Sequence, residues 1–212
     1  MNAFASFLRQ QLDQSLPGLH AQRKMEPHSA DGGANPRRQP PSTAITSGVM
    51  VLVFPHKSRD YEIVLTVRSE DIEQGGQICL PGGRSEENES PEETALRETW
   101  EEIGVSSDLI NILGKLTPLY VNTSNSIIHP LVGYTPQKPS FKRDPVEVQE
   151  VFTTPLAKLI SDHHLENTRW NLKGRSYHVP HWTIHSDVPL WGATAMILSE
   201  FLELYRLYKS EE

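Results

Sequence analysis

The residues with the most chemistry in them lie between positions 82 and 105. Glu98, Glu101 and Glu102 crowd together just after Arg97, downstream of a Gly82-Gly83 pair and an acidic stretch that ends at Glu89. Ser90 suits an N-cap, Pro91 the first helical position, and Glu93 completes an S-x-x-E capping box, so a helix starts here. Gly104 supplies its stop. At 3.6 residues per turn the three carboxylates project within an arc of roughly 100°. Leu96, Thr99, Trp100 and Ile103 are expected on the opposite, buried face. Arg97 falls one turn after Glu93 and one turn before Glu101, well placed to hold carboxylates in fixed rotamers.

A bare E-x-x-E-E helix is more often a solvated face laced with i,i+4 pairs. Here the cluster is nearly all of one sign, with only Arg97 to relieve it, and mutual repulsion costs stability unless cations bind. Hard divalent cations such as Mg²⁺ take oxygen ligands in such an array. The glycines upstream let backbone approach a phosphate closely. A metal-bound diphosphate fits both halves.

The spacing Gly83, Glu89, Arg97-Glu98-x-x-Glu101-Glu102-x-Gly104-Val105 resembles the Nudix box, G-x5-E-x7-R-E-U-x-E-E-x-G-U, where U is aliphatic. Every charged and glycine position is present; Thr99 stands where an aliphatic residue is usual. The resemblance implies an α/β/α sandwich with a mixed sheet and a hydrolase acting on a phosphoanhydride. It implies Mg²⁺ or Mn²⁺ held by Glu98, Glu101 and Glu102, with Arg97 orienting the ligands. Glu89 either binds metal or braces Arg97. The general base is a box glutamate (Glu101 or Glu102) or an acid from a later segment, with Glu147 preferred over Glu150.

Composition sets outer bounds. With 212 residues, 37% hydrophobic and 22% charged, the chain can bury one sizeable core plus extensions. A formal charge of −7 argues against a broad nucleic-acid surface. Cys79 is the only cysteine, which excludes an intrachain disulfide and favours a reducing compartment. No run of about 18 apolar residues offers a membrane span, and the N-terminus has no apolar signal core, so the cytoplasm is the expected location.

The rest of the chain must position the helix. Residues 1–43 read as an N-terminal helix over 2–15, packed on the domain or on a second copy in a homodimer, followed by a Pro/Gly-rich arm over 25–43. Residues 44–208 read as the hydrolase domain. Ala44–Phe54 and Tyr61–Val67 are an expected antiparallel pair across the PHKSRD turn, and a short strand precedes Pro81. Leu109–Leu116 and Ser126–Tyr134 are further strands. Glu147–Leu156 reads as a strand entering a short helix over Pro155–Ile160. A hairpin turns at Lys173-Gly174, and a long helix runs over Trp191–Tyr205. Two packed helical layers on one mixed sheet give the α/β/α sandwich. Cys79 reads as a small packed residue.

Upstream of the box, Leu65-Thr66-x-Arg68-Ser69 and Gly76-x3-Leu80-Pro81-Gly82-Gly83 are similar to the extra signature of coenzyme A pyrophosphatases. Downstream, His129-Pro130, Glu147-Val-x-Glu150-Val-Phe and Trp191-Gly-x-Thr194-Ala195 look like that subgroup too. The signature is L-L-T-x-R-[SA]-x3-R-x3-G-x3-F-P-G-G. Three departures stand out: Glu73 for the second arginine, an interval to Gly76 shorter by one residue, and Leu80 for phenylalanine. The resemblance implies cleavage of CoA or its derivatives to 3′,5′-ADP and (acyl-)4′-phosphopantetheine, with Arg68, Gly82 and Gly83 against the substrate. Alternatives are another nucleoside diphosphate derivative (ADP-ribose, NADH, a dinucleoside polyphosphate), a catalytically silent nucleotide sensor, and an RNA-end hydrolase, which would want a basic groove. Trp170, Trp182 and Tyr177 can stack an adenine or pack the hairpin. The nine histidines show no zinc-ligand spacing.

Overall fold

The computed structural model describes residues 2–32, 39–56, 60–71 and 75–211. Glu73, the Arg37-Arg38 pair and the middle of the PHKSRD turn lie outside the described residues. The chain runs α1 (Ala3–Leu12), α2 (Gly18–Gln22), β1 (His28–Ser29), β2 (Ile45–Pro55), β3 (Tyr61–Arg68), β4 (Ile78–Cys79) and β5 (Gly82–Arg84). It continues through α3 (Pro91–Ile103), β6 (Asn111–Lys115), β7 (Leu119–Val121), β8 (Ser126–Tyr134), β9 (Val148–Pro155) and α4 (Leu156–Ile160). A hairpin of β10 (Leu165–Leu172) and β11 (Arg175–Trp182) leads to α5 (Gly192–Glu211).

A mixed sheet of eight strands carries the order β4-β3-β2-β8-β6, with β5 beside β2, β7 beside β8 and β9 beside β3. β2 and β8 run parallel, and β2 and β3 antiparallel. Among the described residues β2 pairs with β3 at Val53, Phe54 and Pro55. Beyond them the two strands part, β5 pairing with β2 and β4 with β3. The functional site sits in that divergence.

Alternation along β2 builds two cores. Met50, Leu52 and Phe54 join Val64 and Leu131 beneath Ala95 and Ile103 of α3. Val51 and Val53 join Ile63 and Leu65 beneath Phe4 and Leu8 of α1, Leu156 of α4, and Leu198, Phe201 and Leu202 of α5. Each such side chain, fully buried, contributes about 1.5–3 kcal/mol. The result is the expected α/β/α arrangement. α1 is capped by Asn2 and packs into the same core as α5. α2 is tied in through Glu200, fully buried, which accepts from Gln22 Nε2 at 2.8 Å, Thr117 Oγ1 at 2.7 Å and Gly18 N at 3.1 Å. Among the described residues no helix is long and apolar enough to cross a membrane.

α3 has the expected ends: both hydrogen bonds of the Ser90–Glu93 capping box are formed, and Gly104 closes it in the left-handed conformation at φ 71°. Its buried face is rotated from the expected one. Thr94, Ala95, Thr99, Glu102 and Ile103 are buried, whereas Trp100 is 57% exposed. The cause is close contact with β2, since a Cβ on Gly48 would overlap the Pro91 carbonyl oxygen. This approach seats the Ala95–Thr99–Glu102 stripe inward and leaves Trp100 outside. Two short strands also escape the sequence pattern: β1, inside the expected arm and paired with β11, and β7, paired with β8.

Candidate active site

Carboxylates from two elements meet where β2 and β3 diverge. Glu98 and Glu102 of α3 and Glu147, just before β9, each offer an oxygen within 4.8 Å of the other two. Glu147 arrives there because β9 carries an irregularity against β3: Val67 pairs with Glu150, but Arg68 pairs with Val148, leaving Gln149 as an extra residue. Bulges of this kind re-aim side chains. The Glu147 carbonyl is held by Ser69 N at 2.9 Å.

Glu102 is 2% exposed. Its Oε2 accepts from Gly82 N at 3.1 Å, and its Oε1 lies 3.6 Å from Arg68 Nη1. Burial pushes this carboxyl up to about 8, the Gly82 N–H and the Arg68 charge opposing the rise without cancelling it. Glu98 is raised as well, first by burial, with Arg97 pulling down and Glu147 and Glu101 adding repulsion. Three carboxylate oxygens at this separation fit one hard divalent cation, whose metal–oxygen bonds of about 2.1–2.5 Å span about 4–5 Å from ligand to ligand. A cation there would reverse the electrostatics that now disfavour ionisation. The donor set therefore fits the implied metal.

The glycine pair closes the other wall. A Cβ on Gly83 would overlap the Glu98 carboxylate, so any side chain there would push that carboxylate out of its place. Behind the cluster Arg97 spreads its fork over three carboxylates. Nε and Nη2 take both oxygens of Glu89 at 2.8 and 2.9 Å, and Nη1 takes Glu98 Oε1 at 2.9 Å and Glu101 Oε2 at 2.8 Å. Nη2 also donates to the Arg84 carbonyl at 3.2 Å. These bonds hold Glu89 down at about 2 and raise Arg97 above its ordinary value, Glu89 being the largest cause. Glu89 further accepts from Glu86 N at 2.9 Å and Thr94 Oγ1 at 2.9 Å, so in this structure it braces Arg97.

The sequence-predicted residues thus divide. Glu98, Glu102 and Glu147 come together, Arg68, Gly82 and Gly83 border them, and Arg97 stands behind. Glu101 is held by Arg97, half exposed and outside the three-oxygen group. Glu150 pairs with His185 Nε2 at 3.2 Å instead. The Nδ1 of that ring accepts from the backbone of Asp187 and Val188, which fixes its proton on Nε2. Among the described residues no histidine joins a potential metal group. One neighbour was not legible in the sequence: the Cys79 thiol, raised to about 11 chiefly by burial, is pulled down in part by Arg68 and by the Thr194 side chain in the first turn of α5.

A family model described as NUDIX domain matches residues 45–173. The chain is 32% identical over 174 residues to Nudix hydrolase 3 of Caenorhabditis elegans, a match covering 74% of this chain and 71% of that protein. It is 33% identical over 122 residues to the peroxisomal coenzyme A diphosphatase ndx-8 of the same organism, covering 56% and 52%. To the mitochondrial Nudix hydrolase 15 of Arabidopsis thaliana it is 30% identical over 159 residues, covering 72% and 55%. The chain thus spans about half the length of two of these three relatives. Among solved structures, a MutT/nudix family protein from Enterococcus faecalis shares the fold at a TM-score of 0.50 and 16% identity, over 97% of this chain and 75% of that one. With a family model covering more than half its length, and the box residues gathered at one site, the chain belongs to the Nudix family.

Proposed function

We propose that the protein is a divalent-metal-dependent diphosphohydrolase that cleaves CoA or its acyl derivatives to 3′,5′-ADP and (acyl-)4′-phosphopantetheine. The observation that carries the hydrolase reading is the meeting of the Glu98, Glu102 and Glu147 oxygens beside Arg68 and the Gly82-Gly83 wall. Glu98 and Glu102, with Glu147, would hold Mg²⁺ or Mn²⁺. Bound there, such an ion supplies Lewis acidity and a water of lowered pKa.

The chain's own residues do the rest. Arg68, on the cluster's border, offers its guanidinium to phosphoryl oxygens as charge builds on them. Arg97 keeps Glu98 in one rotamer through its bond to Oε1. Glu147 is the candidate proton acceptor for the attacking water, its exposure giving the proton a way out. One P–O bond of the anhydride breaks, a P–O bond to the water oxygen forms, and the two products leave as phosphate monoesters.

The CoA assignment is supported by the Leu65–Gly83 signature and by the similarity to the relative named a coenzyme A diphosphatase. Leu80 is 3% exposed in the core beneath α5, so its replacement of phenylalanine alters packing and removes no ligand. The experiment is product analysis with CoA, ADP-ribose and NADH under Mg²⁺ and Mn²⁺. Preferential release of 3′,5′-ADP from CoA supports the assignment, and preference for ADP-ribose or NADH transfers it to that substrate.

A further inference from the structure

Two of the three clustered carboxylates are braced directly. Glu98 is held by Arg97, and Glu102 by Gly82 N and Arg68. The third belongs to exposed Glu147, whose side chain has no hydrogen bond or ion pair among the described residues. Its place within 4.8 Å of the other two is therefore set by the backbone that carries it. That backbone is the turn Asp144-Pro145-Val146-Glu147, which leads into β9.

The turn hangs from α3 itself. A helix leaves its last four carbonyls without intrahelical donors. In α3 two of these are taken by the chain that enters the turn: Ile103 O accepts from Lys142 N and Glu102 O from Asp144 N, both at 2.9 Å. The backbone of one cluster residue thus anchors the turn that presents another. A Cβ on Gly104 would fall 2.9 Å from the Lys142 Cβ, so the helix end and this chain lie in direct contact.

Two side chains then fix the shape of the turn. Asp144 Oδ1 accepts from Val146 N at 2.8 Å, an Asx-turn, and the Asp144 carbonyl accepts from Val148 N at 3.0 Å. Pro145 has its φ fixed by its ring. Arg143 Nη1 reaches across the turn and donates to the Val148 carbonyl at 2.8 Å, beside the extra residue Gln149. Ser69 N, just after β3, holds the Glu147 carbonyl at 2.9 Å. The peptide groups on both sides of Glu147 are therefore tied, and only its carboxylate is left to reach the cluster.

We propose that Asp144 and Arg143 are positioning residues for Glu147, locking the turn in the shape that sets its carboxylate against Glu98 and Glu102. This rests on the carboxylate cluster being the metal and reaction site. Neither side chain belongs to the three-oxygen group, so each acts through Glu147. A displacement of about 1 Å at a reacting group can cost about a hundredfold in rate.

The test is a double-mutant cycle, read by calorimetric titration of the chelator-treated chain with Mn²⁺ and by steady-state kinetics. Asp144→Ala and Arg143→Met should each weaken Mn²⁺ and lower kcat about tenfold, the lower end for supporting partners of metal ligands, with KM nearly unchanged. Asp144→Asn, which keeps the Oδ1 acceptor, and Arg143→Lys, which keeps a donor, should recover most of both. In the Glu147→Gln background Asp144→Ala should have no further effect on Mn²⁺ affinity, since the group it positions is gone. Thermal unfolding should move by only about 2–4 °C, so the losses are read on folded protein. Unchanged Mn²⁺ affinity in Asp144→Ala overturns the proposal, as does an equal loss in the Glu147→Gln background or no Mn²⁺ binding by wild type. If wild type cleaves none of CoA, ADP-ribose and NADH, the functional reading falls, while a Glu147-dependent loss of Mn²⁺ affinity still upholds the positioning role.

Discussion

Gly83 and Glu98 occupy one steric unit: the Cβ of any larger residue at 83 would fall on the Glu98 carboxylate. The glycine of the box and its first helical glutamate are therefore constrained together, β5 serving as the floor against which α3 sets a potential metal ligand.

Gly83→Ala should displace Glu98 while leaving α3 and both cores in place. The expected result is a fall in kcat/KM of about 100-fold, equivalent to about 2.7 kcal/mol of transition-state stabilisation. Thermal unfolding should shift by only a few degrees. A loss of folding as large as the loss of activity would contradict this steric account.

Arg97→Lys should be costly although the charge is kept. A lysine ammonium cannot reproduce a planar fork that engages Glu89, Glu98 and Glu101 at once. The expected change is a drop in kcat of roughly 10- to 100-fold as Glu98 loses its fixed rotamer, an effect of the size usual for supporting partners of metal ligands. Steady-state kinetics at saturating metal measure it.

Glu89 predicts an acid-side dependence of stability. Its folded pKa, about 2 against an ordinary 4.5, is depressed mainly by hydrogen bonds from Arg97. The folded state therefore binds fewer protons than the unfolded one between those values. The stabilisation is fully present above pH 4.5 and is lost as pH falls toward 2. Glu89→Gln should cost roughly 1.5–3 kcal/mol at pH 7, the range for hydrogen bonds to charged groups. The gap to wild type in urea unfolding should narrow steadily below pH 4.5, and a pH-independent gap would contradict the pairing.

The ends of α3 were legible in the sequence because capping is local: Ser90, Glu93 and Gly104 each act within a few residues. The layer order was legible too, since the stripe Ala195, Ile197, Leu198, Phe201, Leu202, Tyr205 demands a sheet beneath it. The rotation of α3 was not. It is set by the contact of Gly48 with Pro91, and the outcome exposes Trp100 and buries Glu102. The pairing of Glu101 with Arg97 rather than with the cluster is a rotamer choice that spacing cannot encode. β1, of two residues, and β7, of three, are too short to show a period.

Thr99, the one departure inside the box, is fully buried and returns its hydroxyl to the Ala95 carbonyl at 2.6 Å. The hydroxyl is satisfied within its own helix, so it takes nothing from the site. Thr99→Val should change stability by less than about 1 kcal/mol, because the hydroxyl and its bond are removed together without leaving a cavity. Activity should be unchanged, which denaturation and turnover assays can check in one preparation.

Cys79 should be unreactive in the folded protein. Its thiol, at about 11 rather than 9.0, has roughly a hundredfold less thiolate near pH 8 than an unperturbed cysteine. Alkylation by iodoacetamide should be at least that much slower than in urea, where the single thiol reacts fully. As pH rises from 9 toward 11 the unfolded state loses this proton first, so the contribution of Cys79 to stability declines over that interval.

The most direct test of the central claim is hydrolysis of CoA with Mg²⁺ or Mn²⁺ by wild type and Glu102→Gln, with products resolved by mass. The account predicts 3′,5′-ADP and 4′-phosphopantetheine in equal amounts from wild type, no turnover after chelation, and at least a hundredfold loss in the variant. Undiminished turnover by Glu102→Gln, or no turnover by wild type of CoA, ADP-ribose or NADH with either metal, would contradict it.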